Sequence, residues 1–542
     1  MLGQFWRSPL RFLSLFCLCL LLVVSCGRSV PDLGRTPPGS PNRIVLGTTA
    51  QVSTIDPADA YSSFAGALLY NLGDRLYSYK LGTTELEPQL ATALPTVSAD
   101  GLTYKIPLRQ GVVFHDGTPF DAIAMAFSLN RFIQNAGSPA FLLSDLVESA
   151  QASAKHELTI KLKKPFAAFP ALLAFSGAAA VSPKAYEIKE GSFQPDQFVG
   201  TGPYKLVRFG TDQIQLDAFD QYWGKKPTNQ GIDIQVFSSP ANLFNAFRTG
   251  AVDVAYQGLA LEQIRSLQDD LATTGWQILE KSGSGIDYLT LNLKSPPLDK
   301  LEVRQAIAAM IDRPVLQDRV FQGQIDPLYS LIPTTLPDQK PIFQQAYGDR
   351  NSVKARELLT KAGYSLANPL KVEFWYRSNV TNDQLAAITL KAIVNKQLNG
   401  LMQLQLNSVE STTAYKNLDK GAYPMFLLDW SADFFDPDNY IQPFMECAKG
   451  SAKTGCEDGA SFGQGSYYYS DRANQLIDQS RKEQNPTTRK QVFAEIQNLL
   501  AQDVPFIPLW QNKDFMFVQK WIQGASLEVT QKTPFWTLQK SA

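Results

Sequence analysis

The 542-residue chain contains only two histidines, His115 and His156, which limits the acid–base chemistry it could perform. Gly459-Ala460-Ser461-Phe462-Gly463 has the G-x-S-x-G spacing of a nucleophile elbow, which needs a preceding strand and a general base. In hydrolases with that elbow the histidine follows the serine, whereas both histidines here precede Ser461 by hundreds of residues, and its flanks are polar and loop-like. His156-Glu157 opens like a zinc-binding H-E-x-x-H helix, but Ile160 stands where the second histidine must be, and ELTIKLK alternates like a strand. Gly200-Thr201-Gly202 lacks the third glycine of a dinucleotide fingerprint, and there is no Walker A sequence. The sequence therefore predicts no catalytic residues, no metal ligands and no cofactor. What remains are carboxylates and arginines that could pair with a charged solute, and five cysteines.

The elements that must position these residues alternate between strands and helices without an internal repeat. Two-residue alternation or short apolar runs predict strands over Arg43–Gly47, Leu102–Leu108, Glu157–Lys163, Gln213–Phe219, Ile232–Phe237, Ile286–Leu293, Leu370–Tyr376 and Met425–Asp429. Caps and stops predict helices: Ser239-Pro240 opens one that Gly250 closes, and Ser352 opens one that Gly363 closes. A longer helix runs from Thr381 to Gly400 with Leu385, Ile388, Ala392 and Val394 near one face. Another covers Thr487–Asp503, with Val492, Ile496 and Leu499 on a stripe. The fold class is α/β or α+β, with helices packed on mixed sheets.

The 50 Lys+Arg against 51 Asp+Glu, with 44% hydrophobic residues, describe a globular chain with no global attraction for nucleic acid. At roughly 150 residues per domain, the length predicts about three domains or lobes. Arg7 and Arg11 precede a 13-residue apolar run, Phe12–Val24, too short to span a bilayer and suited to a secretory signal. It ends in Val23-Val24-Ser25-Cys26-Gly27, which resembles the bacterial lipobox. An ordinary signal with an incidental cysteine is the alternative. Cleavage before Cys26 would discard Cys17 and Cys19, lipidate Cys26 and leave a mature net charge of −3, since Arg7 and Arg11 leave with the signal. Residues 27–42, GRSVPDLGRTPPGSPN, then form a tether. Pro165–Pro183 carries no charge, but Pro170 and Gly177 interrupt it, and a buried core segment is expected there.

Six segments, in order, resemble the bacterial solute-binding proteins for peptides, dipeptides and nickel that feed ABC importers (solute-binding family 5). They are Lys80–Ala93 (KLGTTELEPQLATA), Thr103–Phe120 (TYKIPLRQGVVFHDGTPF), Gly200–Tyr204 (GTGPY), Asp220–Pro227 (DQYWGKKP), Asn292–Arg313 (NLKSPPLDKLEVRQAIAAMIDR) and Trp430–Tyr440 (WSADFFDPDNY). The resemblance implies an α/β, periplasmic-binding-protein-like two-lobed clamshell (type II) with an additional inserted domain. On this chain, after a signal peptide 1–25 and a tether 26–42, lobe I takes 43–75, 195–285 and 505–542. The inserted domain takes 76–194 and lobe II takes 286–504. It further implies an extracytoplasmic, lipid-anchored monomer that closes on a short peptide and delivers it to membrane permease subunits served by a cytoplasmic ATPase. A nickel or metal-chelate binder and an oligosaccharide binder, the latter using the 8 Trp, 20 Tyr and 32 Phe, are the alternatives. A secreted hydrolase is disfavoured by the missing base.

Closure around a peptide strips water from its α-ammonium and α-carboxylate, so each needs an opposite charge. The resemblance assigns Asp433 to the ammonium, with Trp430 as an apolar wall. Asp436 and Asp438 are read as turn residues, in keeping with the Asp-Pro-Asp-Asn sequence. Arg377, after the strand resembling LKVEFWY, is the candidate carboxylate partner, although its local spacing departs from the family pattern. Outside the cytoplasm Cys447 and Cys456 are expected to pair, as in some dipeptide-type relatives. His115, Arg304, Asp312, Arg313, Tyr222 and Trp223 are read as structural.

Overall fold

The computed structural model describes residues 42–530 and 532–541. Cys26, the signal segment and most of the tether lie outside the described residues. The organising element is an eleven-stranded mixed sheet. In chain order its strands are β1 (Arg43–Thr48), β2 (Tyr204–Phe209), β3 (Gln213–Ala218), β4 (Gly231–Val236), β5 (Val254–Tyr256), β6 (Gln277–Leu291), β7 (Ile325–Pro327), β8 (Leu370–Arg377), β9 (Met402–Val409), β10 (Met425–Trp430) and β11 (Phe506–Val518). Their spatial order is β9-β8-β10-β6-β11-β5-β1-β4-β3-β2, with β7 paired to β11. β1 runs parallel to β4 and β5, and β8 runs parallel to β9 and β10.

The long strands β6 and β11 join the two halves. Gln277–Ser282 pairs with Lys513–Val518 in one half, and Ile286–Thr290 pairs with Phe506–Gln511 in the other. The ladder breaks between Ser282 and Ile286, at Gly283-Ser284-Gly285. A break of this kind bends a strand and re-aims its side chains. Its exposed carbonyls are taken up by side chains: Gln511 Nε2 donates to Gly283 O at 2.6 Å and Tyr440 Oη donates to Ser284 O at 2.8 Å.

Separate apolar cores lie on the two halves. Ile44, Leu46, Leu68, Tyr204, Ile232 and Val518 are buried together in one, and Leu289, Phe374, Leu427, Phe444 and Phe506 in the other. A third core sits on an antiparallel four-stranded sheet of order 96–97, 103–107, 157–162 and 147–154, where Tyr104, Ile106, Leu158 and Ile160 meet the helix Ala122–Gln134. That helix is anchored by the buried pair Arg131–Asp56, at 2.6 Å. The segment 165–183 supplies Phe166, Phe169, Leu172 and Ala180 to this core and forms only short helical turns. Among the described residues no helix is long and apolar enough to cross a membrane.

Several local expectations need correction. The strand expected over Ile286–Leu293 starts at Gln277, because its first half is semi-exposed and polar and lacks an apolar signature. The helix expected to open at Ser352 is capped by Asn351, whose side chain accepts from Lys354 N. On the helix Thr381–Leu398 the buried stripe is Ala386, Ala387, Leu390, Val394 and Leu398, while Leu385 and Ile388 face solvent. Small alanines permit close packing on β8 and β9, so residue size overrode hydrophobicity there.

Candidate ligand-binding cleft

The segment that follows β10 crosses to the other half of the molecule. Asp436 caps the turn Pro437–Tyr440 by accepting from Asp438 N at 2.8 Å, and it pairs with Arg489 through two contacts of 2.7 Å. Asp438 pairs with Arg481 through two contacts of 2.8 Å. Asn439 Oδ1 accepts from Asp433 N at 3.0 Å, so the turn fixes the backbone from which Asp433 projects. Tyr61 Oη, from the other half, donates to Asp433 Oδ1 at 2.5 Å. Burial pushes the Asp433 carboxyl up from its ordinary value, with the Tyr61 hydrogen bond opposing the shift. Phe434 and Phe435 extend the crossing: Phe434 meets Phe166 edge-on at 5.7 Å, and Phe435 meets Tyr79 at 6.1 Å.

Around Asp433 the halves enclose a chamber of about 270 Å³. Tyr61, Ser63, Gly66 and Tyr70 line it from one side, Ser431 to Phe435 from the other, Ser284 from the strand break, and Ala171 and Phe175 from the third core. Lys532 is the one cation and Asp433 the one carboxylate among the described lining residues. The Lys532 ammonium lies over Gly66, where a Cβ would stand 2.9 Å from Nζ. Burial, helped by the Arg75 guanidinium and opposed by Asp514, pushes the Lys532 ammonium down to about 8. A second chamber of about 380 Å³ shares Ser63, Ser431 and Lys532 with the first and continues along Tyr256, Gly285, Asn512 and Asp514.

The other expected site residues lie elsewhere. Arg377, at the end of β8, does not line the chamber. It is buried against Asp383 at 2.7 Å, makes a close contact with Asp429, accompanied by Tyr415 at 3.1 Å, and lies 3.9 Å from Asp287. Asp287 and Asp429 are directly opposite in the β6–β10 ladder, so Arg377 neutralises a cross-strand acidic pair. Trp430 packs edge-on against Phe444 at 5.4 Å, and its immediate successors Ser431 and Ala432 line the chamber instead. Cys447 and Cys456 are joined by a disulfide, with Cα atoms 5.7 Å apart, beside the strands 449–451 and 455–458.

The remaining candidates for chemistry are engaged in structure. His115 accepts from Gly200 N at 3.3 Å through Nδ1 and holds Gly202 O at 3.1 Å through Nε2–H, and burial pushes its imidazole down to about 4. Ser461 Oγ is buried and donates to Tyr468 O at 2.7 Å. Tyr222 and Trp223 donate to the buried Asp74, at 3.2 and 2.8 Å. Arg304 donates to the carbonyls of Asp503 and Leu298, Asp312 caps Val315, and Arg313 donates to Leu328 and Pro508. Among the described residues no group of three or more His, Cys, Asp or Glu side chains could hold a metal ion.

Comparison with known proteins bears on this geometry. Residues 85–452 match the family described as "Bacterial extracellular solute-binding proteins, family 5 Middle". The glutathione-binding protein GsiB of Escherichia coli O6:K15:H31 is 27% identical over 484 residues, covering 86% of this chain and 88% of its own length. Among solved structures, HbpA2 from Haemophilus parasuis is similar with a TM-score of 0.81 at 22% identity, covering 92% of this chain and 100% of that one. The periplasmic binding protein DppA from Helicobacter pylori, solved in complex with the peptide STSA, is similar with a TM-score of 0.72 at 24% identity, covering 92% and 98%.

Proposed function

The chain belongs to the bacterial extracellular solute-binding proteins, family 5, and from that premise we propose that it captures short peptides in the chamber lined by Asp433. It is the solute-binding component of an ABC importer, with the two-lobed α/β fold of that family. The observation that carries the peptide reading is a carboxylate held by a fixed turn and lining a chamber between the halves, where its side-chain partners among the described residues, Tyr61 and Asn439, are both neutral. A ligand α-ammonium would supply the missing counter-charge with charge-assisted hydrogen bonds. Glutathione, after which the curated relatives are named, is itself a tripeptide with a free α-ammonium.

In this reading lobe I comprises 43–75, 195–285 and 505–542, the inserted domain 76–194 and lobe II 286–504. Apolar cores centred on lobe I, the inserted domain and lobe II support that division, with Ala179, Val181 and Tyr186 packing into the lobe I core and Phe434 into that of the inserted domain. β6 and β11 are the hinge, and the strand break at Gly283–Gly285 is where they flex. The protein works as a monomer outside the cytoplasm, held to the membrane by lipidated Cys26, without cofactor or catalysis. It delivers its load to permease subunits coupled to a cytoplasmic ATPase. The disulfide braces the loop that follows the ligand-contacting segment.

An equimolar library of di- and tripeptides, supplied as free peptides and as Nα-acetyl derivatives and read by native mass spectrometry, tests the reading. Free peptides are expected to bind and acetylated ones to be lost. Asp433→Asn is expected to weaken binding by roughly 10- to 100-fold, the worth of a hydrogen bond to a charged group. Equal retention of acetylated and free peptides would remove Asp433 from this role.

A further inference from the structure

We propose that Lys532 is the residue that reads the ligand's carboxylate, so that the protein selects zwitterions whose two charges fit within one chamber. The inference rests on the peptide reading and extends it to the other end of the ligand. The chamber lining holds one carboxylate and one cation among the described residues, Asp433 and Lys532, contributed by opposite halves of the large sheet's fold. No described carboxylate lies within ion-pair distance of the Lys532 ammonium, whereas Lys513, on the wall of the second chamber, is paired with Glu280 at 2.7 Å. The Asp514 carboxylate acts on Lys532 from beyond that distance; a cation facing a partly enclosed chamber without a direct ion pair is costly, and an anionic group on the ligand offsets that cost.

Three features shape the subsite. Gly66 leaves the space that the ammonium occupies, since any Cβ there would meet Nζ at 2.9 Å. Ser63 and Ser431 line both chambers together with Lys532, so their hydroxyls belong to the same walls as the cation and are available to a bound carboxylate. The buried Arg75 guanidinium adds positive potential at Lys532; its hydrogen bonds among the described residues go to the neutral carbonyls of Tyr70 and Gly73, with Asp74 as its neighbouring carboxylate. Arg377, by contrast, already faces three carboxylates and has no surplus charge for a ligand.

The test uses the full-length protein and the same di- and tripeptide library, now as free acids, C-terminal amides and Nα-acetyl acids, with native mass spectrometry as readout. Wild-type protein is expected to prefer acids over amides by roughly 10- to 100-fold. Lys532→Met should bind both forms equally, and Lys532→Arg should keep part of the preference. If wild type binds acids and amides alike but rejects acetylated peptides, the Lys532 assignment falls and the Asp433 reading stands. If the preference for acids survives in K532M, the carboxylate is read elsewhere and the proposal is overturned. If no peptide binds, both readings fall together. The wild-type comparison needs no variant, so a folding defect in K532M cannot mask the result.

Discussion

Replacing Arg377 with Met separates a structural arginine from a ligand-reading one. Asp287 and Asp429 face each other across the β6–β10 ladder, and Asp383 on the following helix approaches from the same side. Burial, reinforced by the neighbouring carboxylates, raises Asp287 well above its ordinary value, and burial likewise raises Asp383. Arg377 opposes both shifts. Removing one partner of a buried ion pair costs about 3–5 kcal/mol. At 2–4 °C per kcal/mol, R377M should lower the melting transition of its half of the molecule by roughly 6–20 °C at pH 7.5. The pH dependence has a definite sign. A carboxyl whose folded pKa lies above its unfolded value destabilises the fold most where it is ionised, and the penalty fades as pH falls through the folded pKa. The R377M deficit should therefore shrink between pH 7.5 and pH 5 when followed by differential scanning calorimetry, and peptide acids should still be preferred over amides. A variant that melts within about 2 °C of wild type yet loses that preference would refute the structural reading and restore Arg377 as the carboxylate partner.

Two further outcomes are expected. Phe434, in the segment after β10, packs in the third core, so on the proposed hinge closure Phe434→Ala should weaken peptide binding by roughly 10- to 100-fold through loss of the closed population, on the basis of about 1.5–3 kcal/mol for burying a Phe side chain. Unchanged calorimetric affinity alongside a lowered melting temperature would mean that Phe434 stays docked in both states. Cys26→Ala should shift the protein from the membrane fraction to the soluble fraction on cell fractionation, and persistence in membranes would point to a different anchor.

The long-range frame was legible where apolar alternation was strong: β1, β3, β4, β8 and β10 fall within a residue or two of expectation. The first half of β6 was not, because Gln277–Ser282 is stabilised by pairing with β11 and has only Ile278 and Leu279, adjacent and thus on opposite faces, as apolar contacts. At the site, the Asp-Pro-Asp-Asn turn announced itself through its composition, and the structure uses Asp436 and Asp438 as turn and ion-pair residues that fix Asp433. The surroundings of Arg377 are not legible, because a lone arginine after a strand gives no sign of the three aspartates that approach it from β6, β10 and a helix. Lys532 and Tyr61 lie in short irregular stretches without periodicity, and only tertiary closure brings them to Asp433. Motif and period report local geometry, whereas a charge gains its role from what faces it across the chain.

The two shifted charges of the chamber also bear on what it binds. Burial drives Asp433 up and Lys532 down, each toward its neutral form, so holding both ionised without counter-charges is unfavourable. A neutral sugar would leave both costs in place, and a simple anion or cation would relieve only one. A zwitterion relieves both at once, returning Asp433 toward lower and Lys532 toward higher values. The other titratable groups of the chamber do not mimic this response: Tyr61, Tyr70 and Tyr79 are all pushed upward by burial, while burial lowers Arg75 and Asp514 acts in the opposite sense on Lys532. Zwitterion affinity should therefore weaken as pH rises through about 8, where the free Lys532 loses its proton, and weaken again at acid pH as Asp433 gains one. The chemistry that a peptide carries at its two ends is the chemistry whose cost the folded chain has already imposed on opposite walls of one small space.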